Sequence, residues 1–515
     1  MAKIMGLHGK MSDTTQIEQL LARGEDSAVA ISAPGRRALT YQRFRQHVEK
    51  TVAKLNDLGI GRNDTVAIVL PNGAEMASAF VSIAAGATTA PLNPAYRQEE
   101  FEFYLSDLEA KILIVEAGSE TPARAAAQKL GIRITELQPN NETAGLFEVS
   151  GSKAGNAELA GFAETEDIAL VLHTSGTTSR PKIVPLSQRN ICASAANIAT
   201  SLSLSPDDCC LNIMPLFHIH GLMAAVLSSL YAGASVFCSP GFNALKFFAW
   251  MKEANPSWYT AVPTMHQMIL ERAPRNREII ASGRLRLVRS SSASLAPQVM
   301  KALEETFKAP VIEAYGMTEA AHQMASNPLP PRERKPGIVG IAAGPEVAVM
   351  DEVGSLLASG ETGEVVIRGG NVTNGYRNNP DANATAFTNG WFRTGDQGIM
   401  DEEGYLRLTG RLKEIINRGG EKISPREVDE VLLDHPAVAQ AVTFAVPHEK
   451  LGEDVAAALI LKEGASVNEK EIRKFASQRL TDFKVPRRVV FLEEIPKGPT
   501  GKLQRIGLAE KLGLA

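Results

Sequence analysis

Short apolar runs recur along the first 330 residues with amphipathic stretches between them, and this alternation limits the architecture more than any other feature. The runs at 65–70 (TVAIVL), 111–115, 168–172, 235–238, 258–262 and 285–288 lack the polar alternation of a half-exposed strand. Strands covered on both faces have that composition, and parallel sheets flanked by helices are where they occur. The stretch 74–85 reads as a helix packed behind the first run, and connections carrying Gly, Pro, Ser and Asn punctuate the series. From 337 to 409 the texture changes to short segments such as GEVVIRG and EGYLRLTG between glycine turns, which predicts a small β-rich lobe. After Arg411 the spacing predicts helices over 425–433 and 469–480 and strands over 439–446, 455–461 and 489–492. That is a compact α+β domain.

A chain of 515 residues exceeds one ordinary core, so more than one domain is required. A net charge of −4 gives no general attraction for nucleic acid or a membrane surface. Cys192, Cys209, Cys210 and Cys238 show neither zinc spacing nor a CxxC pair, which predicts reduced thiols and a cytoplasmic setting. No apolar run reaches membrane-spanning length, so no membrane span is expected. The first residues lack a hydrophobic signal core, Met11 offers an alternative start, and the terminal KLGLA is not an SKL-type address.

The chemistry begins at 170–185, LVLHTSGTTSRPKIVP, where a strand run breaks into hydroxyls, glycine and two cations. Glycine permits close backbone approach, and successive N–H groups form a concave anion site to which Arg180 and Lys182 add charge. No GxxxxGK[ST] is present, so this is not the mononucleotide P-loop. A solvated surface loop has similar composition, and the neighbouring motifs decide between the two readings.

TSGTTxxPK resembles the phosphate loop of the acyl-adenylate-forming superfamily, which includes acyl-CoA synthetases, luciferases and peptide-synthetase adenylation domains. Four further motifs follow in that superfamily's order: AYGMTE (314–319), WFRTGD (391–396), GRLKEIINRGGEKISP (410–425) and PKGPTGKLQR (496–505). The resemblance implies an α/β fold. It comprises a large N-terminal domain, 1–410, of two α/β subdomains plus a small β-rich lobe, and a small mobile α+β C-terminal domain, 411–515. It also implies ATP, Mg²⁺ and coenzyme A as reactants with a small carboxylic acid. A carboxylate cannot expel oxide, so attack on the α-phosphate of ATP first makes acyl-AMP, and a thiol then displaces AMP. Both partners in the first step are anionic, so positive charge must stand where charge develops.

By the same resemblance Thr174, Ser175, Gly176, Thr177 and Thr178 cradle the outer phosphates with Lys182 nearby. Thr318 contacts phosphate, Glu319 holds Mg²⁺, Tyr315 stacks on adenine, and Asp396 accepts the ribose hydroxyls with help from Arg411. Lys502 bridges the carboxylate and α-phosphate during adenylation, and Lys413 occupies the hinge position. Gly419 and Gly420 line the pantetheine tunnel of coenzyme A. Two positions depart from the pattern, since the family loop usually carries glycine at Ser179 and Ile183. A β-branched Ile183 disfavours positive φ and requires extended backbone after Lys182. No GGxS carrier motif follows the domain, so free coenzyme A is the expected acceptor.

PLFHIHG (215–221), RSSSASLAP (289–297) and TEAAHQMASNPLP (318–330) together resemble oxalate–CoA ligases of plants and fungi. Ser292 stands where many relatives have a glycine behind the acyl pocket. His322 follows Glu319 by three residues and on a helix would project near the same face. A serine and a histidine suit a second carboxylate better than an alkyl chain. His218, by resemblance, gates access of the thiol to the adenylate. A ligase for medium-chain or aryl acids, or a non-catalytic nucleotide-binding protein on the same fold, remains open at this point.

The Lys502 role has a direct consequence. Lys502→Ala should abolish overall ligation while thioester formation from supplied acyl-AMP survives, with about 10²–10³ lost in the adenylation rate. Assaying the two half-reactions separately checks this, and equal damage to both would remove Lys502 from the adenylation step.

Overall fold

The computed structural model describes residues 14–174, 181–496 and 505–515. These form two units: 14–174, 183–346 and 368–384 in the larger, and 181–182, 347–367 and the described residues from 385 onward in the smaller.

Among the described residues the larger unit is built on two sheets. One has seven strands in the order Phe147–Val149, Arg133–Pro139, Ile112–Glu116, Thr65–Val69, Thr88–Pro91, Ile168–Thr174 and Lys182–Ser187. Its pairings from Arg133–Pro139 to Ile168–Thr174 are parallel. The other has nine, with a parallel centre of Val311–Met317, Leu287–Ser290, Trp258–Ala261, Cys209–Asn212, Ser235–Cys238 and Val29–Ser32. Each predicted strand run lies on one of these strands, within two residues at either end. The helix Ala74–Ala84 lies against strands of both sheets, which explains why its sequence is apolar on every side. Ile183 is buried in the strand Lys182–Ser187, the extended conformation its β-branch demands.

The register of the nine-stranded sheet positions the chemistry. Leu211, Tyr259, Val288 and Val311 are aligned across four strands and share an apolar core. Helices Phe247–Ala254, Pro263–Arg272 and Pro297–Phe307 supply the other side of that core. One residue further along, Asn212, Thr260 and Arg289 align and face the opposite way, because successive side chains alternate between faces. A π-helix, His220–Leu227, carries His220 to Thr260 and Arg289 on that polar face. Such helices are rare and concentrate at functional sites. Gly221 is required there, since a Cβ would lie 2.4 Å from the Pro215 carbonyl oxygen.

The smaller unit contains the β-rich lobe, with Thr362–Arg368, Trp391–Met400 and Leu406–Arg411 as antiparallel neighbours. Its later part is an α+β body. The long hairpin Val438–His448 and Gly452–Leu461 is flanked by Arg488–Phe491 and by the short hairpin Ile416–Arg418 and Glu421–Ile423. Helices Pro425–Leu433 and Glu469–Ser477 contribute to the core of this body.

Val311–Met317 pairs antiparallel with His322–Ser326, and Gly316 sits where the two backbones nearly touch. A Cβ on Gly316 would stand 1.6 Å from the His322 carbonyl oxygen. Gly316→Ala should therefore separate the hairpin, at a cost of at least about 1–3 kcal/mol. Thermal melting of the variant should show the loss, and a wild-type melting curve would contradict the close approach.

Candidate active site

Three side chains meet above the polar face of the nine-stranded sheet. His220 Nδ1 lies 3.0 Å from Ser292 Oγ, and its Nε2 lies 2.6 Å from Thr260 Oγ1. His322 stacks on His220 with ring centroids 4.9 Å apart and planes within 24°. Beneath them Arg289 is fully buried, with Nη1 3.5 Å from both His220 Nε2 and Thr260 Oγ1 and Nη2 donating to Gln323 Oε1 at 3.1 Å. Arg289 pairs with no carboxylate among the described residues, and its Nε has no hydrogen-bond partner there. Burial brings the guanidinium down to about 9. Burial first, then the neighbouring His322 and Arg289, holds His220 well below the usual imidazole range, so its ring is neutral.

This arrangement includes strained backbone. Ser292 has a φ of 72°, a left-handed conformation that costs a serine about 1–3 kcal/mol and a glycine almost nothing. His322 does not lie on a helix with Glu319, contrary to the sequence expectation. Thr318–Ala320 is a single 3-10 turn, Ala321 and His322 have φ of 47° and 99°, and His322 begins the strand that returns antiparallel. The turn exists because Met317 pairs with His322, leaving room for four residues between them. His322 thus reaches His220 through a hairpin.

Glu319 lies on that turn and is 6% exposed. The Tyr376 hydroxyl donates to its Oε1 at 2.9 Å, and its backbone carbonyl accepts from the Thr373 amide at 2.7 Å. Asn371 Nδ2 donates to the carbonyls of Ala320 and Gln323, and Ser194 Oγ to that of Ala321. A single oriented carboxylate fits Mg²⁺, which keeps several waters and takes its other ligands from substrate phosphates. No cluster of three or more His, Cys, Asp or Glu suited to a metal occurs among the described residues. Tyr315 is 8% exposed in the strand before the turn, and Thr318 is partly buried at its start.

Of the phosphate-loop residues, Thr174 closes the strand Ile168–Thr174 and Lys182 opens the strand Lys182–Ser187. Ser175, Gly176, Thr177, Thr178 and Ser179 lie outside the described residues, as does Lys502. In the smaller unit Asp396 is 6% exposed and stands opposite Arg411, whose Nε approaches its Oδ1 to 3.0 Å. Gly395 precedes it with a φ of 72° and donates its amide to Glu364 Oε1.

Lys413 is exposed on the 3-10 turn Leu412–Glu414. Gly419 and Gly420, with φ of 62° and 97°, make the two-residue turn of the hairpin Ile416–Arg418 and Glu421–Ile423. Positive φ at both positions already demands glycine there. A Cβ on Gly420 would meet nothing within 4 Å, so its surroundings are open. His218 is partly buried, and its Nδ1 accepts from the His220 amide at 3.3 Å, which places its proton on Nε2.

Three residues within the quoted motifs received no role from sequence. His220 and Arg289 form the heart of the polar cluster. Arg505, the last residue of the terminal motif, has Nη2 2.6 Å from Asp429 Oδ2, Nε 3.3 Å from Glu414 Oε2 and Nη1 donating to the Thr443 carbonyl. Ser292 was readable as a serine where many relatives carry glycine, and His220 stands in the quoted PLFHIHG. Nothing local marks Arg289 as buried.

Residues 18–377 match the AMP-binding enzyme family, and 427–502 match the AMP-binding enzyme C-terminal domain. The chain belongs to this family. It is 49% identical over 490 residues to a probable CoA ligase, CCL9, of Humulus lupulus, covering 93% of each chain. It is 48% identical over 485 residues to an oxalate–CoA ligase of Arabidopsis thaliana, covering 92% of this chain and 94% of that one. Among solved structures, ATP-bound MatB from Rhodopseudomonas palustris superposes with a TM-score of 0.87 at 29% identity, covering 97% of this chain and 99% of the other. The protein is an AMP-forming acid–CoA ligase, and the reactants of that class are ATP, Mg²⁺, coenzyme A and an acid. No helix among the described residues is long and apolar enough to cross a membrane.

The Tyr376 contact generates a prediction. Tyr376→Phe deletes the hydroxyl that donates to Oε1 of Glu319, the expected Mg²⁺ ligand, and leaves packing intact. Partners behind a metal ligand are typically worth about 10–100-fold in metal affinity. The Mg²⁺ concentration for half-maximal adenylation should rise by roughly that factor. A magnesium titration of ATP–pyrophosphate exchange measures it, and an unchanged midpoint would mean Tyr376 does not orient the metal ligand.

Proposed function

We propose that the acid is oxalate, converted with ATP and coenzyme A to oxalyl-CoA, AMP and diphosphate. The observation that carries this reading is the Ser292–His220–His322 cluster backed by a buried guanidinium that meets no carboxylate among the described residues. An alkyl chain would leave these polar groups unpaired, whereas a small dianion would exchange water for them. The relative named oxalate–CoA ligase supports the same assignment.

In this reading one oxalate carboxylate attacks the α-phosphate while the other meets Ser292 and His322. Thr174 to Thr178 and Lys182 receive the outer phosphates, Thr318 contacts phosphate, and Tyr315 stacks on adenine. Asp396, held by Arg411, accepts the ribose hydroxyls. Mg²⁺, on Glu319, would neutralise developing phosphate charge. Lys502 bridges carboxylate and α-phosphate in the first step. The thiol of free coenzyme A then attacks the adenylate, with His218 at its entry, Lys413 as hinge and Gly419 and Gly420 beside pantetheine. The boundary between an adenylation domain, 1–410, and a mobile domain, 411–515, belongs to the same proposal. All four cysteines are buried and unpaired, which suits a reducing, cytoplasmic setting.

An acid panel with ATP, Mg²⁺ and coenzyme A, read by AMP release, tests the assignment. A site of buried donors rejects ligands lacking the matching group by roughly 10⁴-fold. Oxalate should therefore exceed acetate, butyrate and octanoate in kcat/KM by about that factor. A preference for octanoate or an aryl acid would overturn oxalate and leave the ligase class intact. Absence of ATP–pyrophosphate exchange with every acid would overturn the catalytic reading as well.

A further inference from the structure

We propose that Arg289, Thr260, His220 and Ser292 form a one-directional hydrogen-bond relay that fixes the Ser292 hydroxyl as a donor toward the acid substrate. The inference rests on the oxalate reading above and assigns positioning roles to Thr260 and Arg289.

The direction follows from what each group can give. A guanidinium has only donors. Arg289 Nη1 lies 3.5 Å from Thr260 Oγ1, so at that long distance its charge mainly turns the hydroxyl dipole, lone pairs inward and proton outward. The outward proton meets His220 Nε2 at 2.6 Å. Nε2 therefore accepts, and a neutral imidazole that accepts at Nε2 carries its proton on Nδ1. Nδ1 donates to Ser292 Oγ at 3.0 Å. The serine's own proton is then unused within the relay, and it is available to a carboxylate oxygen.

The opposite polarity is disfavoured at both ends. A proton on His220 Nε2 would face the Arg289 guanidinium at 3.5 Å, donor against donor. Ser292 would then donate to Nδ1 and present lone pairs to an anion. Parallel pairing makes the relay possible: Thr260 and Arg289 are register partners on adjacent strands, so their side chains emerge on one face. The left-handed backbone at Ser292 is consistent with a side chain retained for its hydroxyl.

The decisive comparison is Thr260→Val, which keeps the shape and removes the hydroxyl, against Thr260→Ser, which keeps the hydroxyl. Hydrogen bonds that involve a charged partner correspond to about 10–100-fold. Thr260→Val and Arg289→Met should lower oxalate kcat/KM by that factor. The loss should appear mainly in the oxalate KM, with the ATP KM unchanged and the preference over acetate reduced. Thr260→Ser and Arg289→Lys should recover most of the loss. If Arg289→Met fails to fold, the two Thr260 variants decide the matter. Wild-type enzyme that prefers oxalate, with Thr260→Val equal to Thr260→Ser, would overturn the relay alone. A parallel loss of ATP affinity and melting temperature in Thr260→Val would also overturn it, since that is the signature of packing. Wild-type enzyme that prefers a monocarboxylate would overturn the oxalate reading and, with it, the need for a second-carboxylate donor.

Discussion

A guanidinium sealed inside a protein without a carboxylate beside it carries a desolvation cost of several kcal/mol. Among the described residues Arg289 is in that position, meeting Gln323, the Thr260 hydroxyl and the edge of His220. Its charge is therefore available to act on whatever enters above His220. The imidazole remains neutral because burial, a stacked His322 and the guanidinium all oppose a second positive charge. The acid cluster thus combines one fixed cation with polar groups of defined orientation, and an anion with two charged ends complements it.

The parallel sheet gives this cluster its precision. Thr260 and Arg289 stand side by side because their strands are in parallel register, and the face behind them is closed by Tyr259, Val288 and the helices packed on them. The residues that complete the cluster come from irregular backbone. His220 begins a π-helix, Ser292 lies in the left-handed region, and His322 is the second of two successive positive-φ positions at the end of a hairpin turn. Rigid strands thus fix the charge, and strained connections fix the groups proposed to meet substrate, a distribution common in α/β enzymes.

Apolar runs such as 65–70 and 235–238 announced their strands because burial on both faces leaves no polar position to blur the pattern. Pro425–Leu433 was equally legible, bounded by Ser424 as a capping residue and Pro425 at the first helical position. The requirement that Ile183 be extended was also readable, since it depends on one side chain's own sterics. The path of the chain after Glu319 was not readable. An interval of three residues suits a helix and a tight hairpin alike, and the choice was made by pairing with Val311–Met317. Arg289 escaped notice for a related reason. An arginine at a strand end is usually exposed, and only the assembled layer of His220, Thr260 and Gln323 buries it.

The central claim is that Ser292 and His322, backed by Arg289, receive the second carboxylate of the acid. A crystal structure with oxalate and AMP bound tests it most directly. The account predicts an oxygen of the non-reacting carboxylate about 2.5–3.0 Å from Ser292 Oγ, with the His220–Ser292 contact retained. Oxalate bound with Ser292 and His322 turned away from it, or with Arg289 displaced to a carboxylate of the protein, would contradict the account.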